Sequence, residues 1–313
     1  MATYIIKRTG LMILTLVGVS ILIFSMMRMI PGDIVDVLFD SAGYVDDSQR
    51  AAITKELGLD KPLPEQYASW IGGVLHGNFG YSFISERPAR GEILSRLPVT
   101  LKLAGMAIFF ATILGVPLGV LSAVKQDSAT DNILRVISIS GLSLPSFWIG
   151  LLALMFFVYT FGFIPIYPMG QHTLMQELAI LSLPALVVGF RSSALILRLT
   201  RSSMLEILSQ DYIRTAKAKG ASALVINLRH ALKNAFLPVL TVVGLEAAHL
   251  IGGLVVTETV FNVPGVCRFL VDSINQRDYP VVQSLVLLIA FAAVLANFIV
   301  DLSYATLDPR IKY

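Results

Sequence analysis

Six long apolar runs constrain this chain more than any other feature: residues 9–30, 98–124, 133–161, 177–199, 237–258 and 281–306. A helix needs about 20 mostly apolar residues to cross the roughly 30 Å hydrocarbon core of a bilayer, and every run reaches that length. In hydrocarbon no water satisfies an open backbone, so such runs must form helices or a closed barrel. Barrel strands would read as segments of about 10 residues with alternating polarity, and none occurs. Composition agrees. Charged residues are 14% of the 313, against about 25% in soluble globular chains. Mean hydropathy is +0.74. Disordered, collagen-like and ordinary cytosolic chains are thereby excluded. The single cysteine, Cys267, allows no intrachain disulfide, and a net charge of +3 is too small to imply nucleic acid as a partner. The expected fold class is all-α, a polytopic integral membrane protein with six transmembrane helices.

Pro117, Pro145 and Pro184 fall inside runs. In a membrane bundle they are tolerated, because neighbouring helices and Ser/Thr side chains re-satisfy the freed carbonyls. The first run follows Lys7 and Arg8, as a signal peptide would. It is longer than a signal core of about 7–15 residues and ends in Ile30-Pro31-Gly32-Asp33, so a permanent anchor is expected. With the N-terminus inside, the inner flanks hold thirteen Lys/Arg and the outer segments eight. Six of those eight lie in the long loop 31–97, which is exempt from the positive-inside bias. Both termini are therefore expected on the cytoplasmic side. The chain divides into an anchor helix (1–30), an extracytoplasmic loop region (31–97), a five-helix core (98–306) with a cytoplasmic loop (200–236), and a cytoplasmic tail (307–313).

The outer loop carries ten acids and six bases, and Gln66-Tyr67-Ala68-Ser69-Trp70 reads as the start of a short amphipathic helix. It is either a surface cap on the bundle or a dock for an external partner. The inner stretch 200–236 is basic, with seven Lys/Arg, counting Arg198, against Glu206 and Asp211. Ser209 or Asp211 suits the cap of a helix over Tyr212–Lys219, with Lys217 and Lys219 in the last turn where cations complement the dipole. Gly220 stands where a left-handed residue closes a helix. Ser222 then suits the cap of a second helix with Leu224, Val225, Leu228 and Leu232 on one face. Two readings stay open: an interfacial pair bound to membrane lipid headgroups, or a rigid lever touching a cytoplasmic protein.

Ionisable groups inside spans are costly and mark pathways or buried pairs. They are Lys102, Arg191, Glu246, His249 and Asp301. Gly244, Ala248 and Gly252 form a small-residue stripe for close packing, from which Glu246 and His249 point about 130° away at 3.6 residues per turn. Glu246 and His249 either face a translocation path, or Glu246 pairs with Arg191. No Gly-Lys dipeptide exists, so the phosphate-cradling G-x-x-x-x-G-K-[ST] loop is absent. The chain also lacks a G-x-S-x-G elbow, and apart from Glu246/His249 it lacks helical metal-ligand pairs. No catalytic residue, metal or cofactor of its own is expected. An ion-gradient carrier working through Glu246, His249 and Asp301 is the rival class to a partner-driven transporter, and an intramembrane enzyme is a third.

The segment Asp211-Tyr212-Ile213-Arg214-Thr215-Ala216-Lys217-Ala218-Lys219-Gly220, followed by His230 to Pro238, resembles the cytoplasmic "EAA" loop of ABC importer permeases. The closest likeness is to B-type permeases of the dipeptide/oligopeptide/nickel branch. Tyr4 to Arg8, Ile30 to Asp33, Leu57 to Leu63, Gly77 to Ser82, Glu258 to Val266, Arg277 to Gln283 and Leu307 to Tyr313 are similar to that branch in the same order. Arg214-Thr215-Ala216 stands where the general loop has acid-Ala-Ala, Lys233 where it has proline, and Cys267 where the branch usually has glycine. The resemblance implies a type I ABC importer permease fold in a bacterial inner membrane. It implies a second homologous permease subunit, two cytoplasmic ABC ATPase subunits holding ATP and Mg, and an extracytoplasmic substrate-binding protein. Its cargo would be di- or oligopeptides, with nickel and glutathione open. The ATPase-coupling residues it implies are Asp211, Tyr212, Arg214, Thr215, Ala216, Lys217, Lys219, Gly220, His230 and Asn234.

Overall fold

A computed structural model of the chain describes residues 2–29, 54–55, 58–82, 84–168, 170 and 172–307. The start of the expected outer loop, with Ile30-Pro31-Gly32-Asp33, and the tail 308–313 lie outside the described residues. In chain order the elements begin with α1 (Ala2–Met29), α2 (Leu63–Leu75) and an antiparallel pair, β1 (Tyr81–Ser82) and β2 (Arg87–Pro88). Then come α3 (Ala89–Val124), α4 (Ala129–Ser143), α5 (Ser146–Phe161), α6 (Leu174–Leu208), α7 (Asp211–Ala218) and α8 (Ala223–Val225). A π-helical segment (Ile226–Leu232) leads into α9 (Lys233–Gly253), α10 (Val255–Val260), α11 (Val266–Asn275) and α12 (Tyr279–Leu307).

Among the described residues five helical stretches are long and apolar enough to cross a bilayer: α1, α3, α6, α8 through α9, and α12. The sixth expected run is broken. Helices α4 and α5 meet at a bend of 106°. Pro145 has no N–H to donate and drives Leu144 out of the helical region, to ψ 134, so α4 stops and α5 restarts. Pro117 and Pro184 lie inside α3 and α6 without a break, so tolerance holds at two of the three prolines. Counting the bent pair once gives six spans. Several helices outrun their apolar stretch, as α6 does from a complete capping box, Thr173 with Gln176.

Two compact units divide the chain: Met1–Pro98 with Pro264–Leu295, and Val99–Val263 with Ala296–Tyr313. In the first, Tyr67 of the amphipathic α2 bonds Ser20 of α1 at 2.8 Å, and Phe24 stacks on Trp70 while meeting Tyr67 edge-on. Sequence motifs far apart in the chain meet here. Ser82 Oγ donates to Asp278 at 2.5 Å, Ser284 Oγ donates to the Phe79 carbonyl at 2.6 Å, and Ala89, Ile93, Val266, Val281 and Leu285 pack as one buried cluster. Cys267 is buried in α11.

In the second unit α6 is central. It packs on α4, α5 and α9, and 61% of its most apolar stretch is buried, against 11–33% for the other long spans. Its contact with α3 depends on small residues. A Cβ on Gly115 would lie 2.8 Å from Ile196, and one on Gly119 2.6 Å from Thr200, so only glycine lets the backbones approach this closely. On α9 the expected stripe packs in part: a Cβ on Gly244 would lie 2.5 Å from Val300, Ala248 is buried, and Gly252 is exposed. Leu14, Val136, Ile139, Met155 and Phe156 are all more than half exposed, an apolar surface suited to lipid rather than water.

Candidate functional site

Helix α7 is short and two-faced. On its inner face Ile213 is fully buried among Ala123, Met204, Ile226, Ala231 and Ala235, with Ala216 packed beside them. That cluster joins α7 to the ends of α3, α6 and α9. Asn234 Nδ2 donates to the Tyr212 hydroxyl at 2.9 Å and to the His230 carbonyl at 3.0 Å, so these three expected coupling residues come together. The outer face carries Arg214, Thr215, Lys217 and Lys219, all exposed. Asp211 sits in the first turn, paired with Arg214 at 3.3 Å on the surface. Gly220 takes φ +80 and ends the helix in a left-handed turn, with its N–H on Lys217 and that of Ala221 on Ala216.

Two local expectations are corrected. Neither Ser209 nor Asp211 caps α7: Gln210 holds the cap position with no side-chain bond, and Ser209 Oγ donates back to Glu206. The second helix does not keep Leu224, Val225, Leu228 and Leu232 on one face. Its residues 226–232 wind as a π-helix, whose turn takes about one residue more than an α turn. Ile226 and Ala231, five apart, therefore share the buried face. Leu232 still packs inward, while Leu224, Val225 and Leu228 are exposed.

Just before α7 lies a buried ion pair not foreseen as a site. Asp131 of α4 is fully buried and receives both Nε and Nη2 of Arg201 at 2.7 Å, Ser122 Oγ at 2.5 Å and the Asp127 N–H at 3.0 Å. It pins α3, the following turn, α4 and α6 to one another. Only fold geometry could reveal it. Asp131 reads as an ordinary first-turn acid and Arg201 as a flank charge, 70 residues away.

The intramembrane polar residues separate into four kinds. Lys102 is satisfied by Glu177 of α6 at 2.5 Å. Glu246 accepts a hydrogen bond from Ser192 at 2.5 Å, and among the described residues no ion pair joins it to Arg191. Arg191 and His249 are exposed and line a cavity of about 360 Å³ with Ser192, Leu250, Gly253 and the Leu144-Pro145 break. Asp301 is half-buried on α12. Glu258, not singled out by the sequence pattern, is fully buried and receives the Thr100 hydroxyl at 2.7 Å.

Among the described residues, five to six helical stretches long and apolar enough to cross a bilayer, with the short two-faced α7 following α6, define a multi-pass membrane protein. Residues 115–313 match the family described as "Binding-protein-dependent transport system inner membrane component", and residues 1–104 match its N-terminal companion. The chain belongs to this family, as an inner-membrane permease subunit of an ABC importer. It is 40% identical to the dipeptide transport system permease protein DppB of Escherichia coli (strain K12), over all of this chain and 99% of that one. Identity is also 40% to the di/tripeptide transport system permease protein DppB of Pseudomonas aeruginosa (strain UCBPP-PA14), over 100% and 99%. The glutathione transport system permease protein GsiC of Escherichia coli (strain K12) is 39% identical over the full length of both. Among solved structures, the inward-facing MetNI methionine ABC transporter shares the fold at a TM-score of 0.57 and 17% identity, covering 69% of this chain and 96% of that one.

Proposed function

We propose that this chain forms half of the membrane path of an ATP-driven importer for di- and oligopeptides, glutathione included, working by alternating access. A second homologous permease subunit completes the path. An extracytoplasmic binding protein delivers cargo, and two cytoplasmic ATPase subunits hold the ATP and Mg. Both termini lie in the cytoplasm. The names of the full-length relatives support the cargo class, and the thirteen-to-two excess of inner positive charge outside the long loop supports the orientation.

The observation that carries the mechanism is the build of α7. Ile213 and Ala216 lock it to the ends of α3, α6 and α9, while Arg214, Thr215, Lys217 and Lys219 are exposed on the other face. A helix fixed on one side and basic on the other acts as a rigid lever: a push on its outer face moves the three spans together. Closing of the ATPases would displace α7 and rock the bundle from inward- to outward-facing. Cross-linking tests this directly. Cys267 is the sole native thiol and is buried, so a cysteine placed by R214C is the reactive one. In the assembled importer it should cross-link to an ATPase subunit, with a yield that changes on adding ATP. A thiol that reacts only with lipid-borne probes would place α7 on the membrane surface.

A further inference from the structure

Arg191 stands at the midpoint of α6, a helix long enough to span a bilayer. It is exposed, and among the described residues it has no ion pair and no hydrogen bond to a side chain. A guanidinium held at mid-span against lipid tails is costly, so its outward face must meet water or an anion. The cavity beside it carries polar groups. Ser192, His249 and Gly253 line it together with the break at Leu144-Pro145, where α5 begins at Ser146. Among the described residues, Arg191 and His249 are the only ionisable residues lining it, and no acid does. Glu246, three residues before His249, accepts a hydrogen bond from Ser192.

We propose that this cavity is a cargo subsite on the translocation path, in which Arg191, assisted by His249, receives the C-terminal carboxylate of a transported peptide. The proposal rests on the peptide-importer reading and goes beyond it by naming the cargo group recognised. A carboxylate fits the planar fork of arginine with two parallel N–H···O bonds, and every linear peptide carries one whatever its side chains. A subsite for that shared group lets one path accept varied cargo. It also suits glutathione, whose carboxylates present the same chemistry.

The test uses the complete importer in proteoliposomes with its binding protein, fed alanyl-alanine or alanyl-alanine C-terminal amide. The binding protein's own preference cancels when the acid-to-amide uptake ratio of R191Q is divided by that of the wild type. A charge-assisted contact of this kind predicts a fall in that ratio of about tenfold, and R191K should restore part of it. An unchanged ratio overturns the proposal. So does an R191Q chain that no longer assembles with its partner subunits, because the guanidinium would then be answering a protein carboxylate. Uptake of neither peptide by the wild type overturns the peptide-importer reading itself, and this subsite with it.

Discussion

Helix α6 carries two arginines ten residues apart that could hardly be treated more differently. Arg201 is half-buried and bonded through two nitrogens to the fully buried Asp131. Arg191 lies exposed at the helix midpoint, beside a cavity lined by no acid. A buried pair of this geometry fixes helices in place, since removing either member strands a charge in a medium that cannot solvate it. An unpaired arginine at mid-span fixes nothing within its own chain. The contrast separates architecture from function on one element: the first arginine holds the bundle end from which α7 projects, and the second is left for a partner the chain does not supply.

Five variants sharpen or break this contrast. Asp131→Ala should cost about 3–5 kcal/mol, read as a large drop in the unfolding midpoint of the detergent-solubilised protein. Replacing both members, Asp131→Leu with Arg201→Met, should cost less than Asp131→Ala alone. Gly119→Leu forces a side chain onto Thr200 and should cost about 1–3 kcal/mol by the same measurement. Gly220→Val has open space around it and meets only the penalty of a left-handed backbone, about 1–2 kcal/mol. Its larger consequence should be functional: a distorted α7 end raises the ATP hydrolysed per peptide moved, measured in proteoliposomes. Arg191→Gln should shift stability by no more than about 0.5 kcal/mol, as expected where no partner is lost. A drop comparable to that of Asp131→Ala would erase the distinction between the two arginines.

The spans were legible because hydrocarbon imposes a length and an apolar composition that sequence displays directly, and α7 with Gly220 was legible from charge and turn chemistry. What could not be read depended on three-dimensional contact or on a change of helical pitch. Pro145 breaks its span while Pro117 and Pro184 do not, and the three look alike in sequence. Counting 3.6 residues per turn puts Leu224, Val225, Leu228 and Leu232 on one face, but the change of pitch at 226–232 leaves Leu232 packed inward and the other three exposed. Asp131 and Arg201 are 70 residues apart, with no local spacing to join them. Lys102 was marked as a polar residue inside a span without its partner Glu177, 75 positions on. Gln66 to Trp70 did announce α2, yet its docking on Ser20 and Phe24 of α1 followed from no local pattern.

The proposed function makes this chain a path moved by partner ATPases rather than a carrier moved by an ion gradient. Uptake of a labelled dipeptide into proteoliposomes measures it most directly. With the second permease subunit, the ATPases and the binding protein present, accumulation should require ATP and persist when ionophores collapse every ion gradient. Accumulation by this chain alone, driven by an imposed proton gradient and indifferent to ATP, would contradict it.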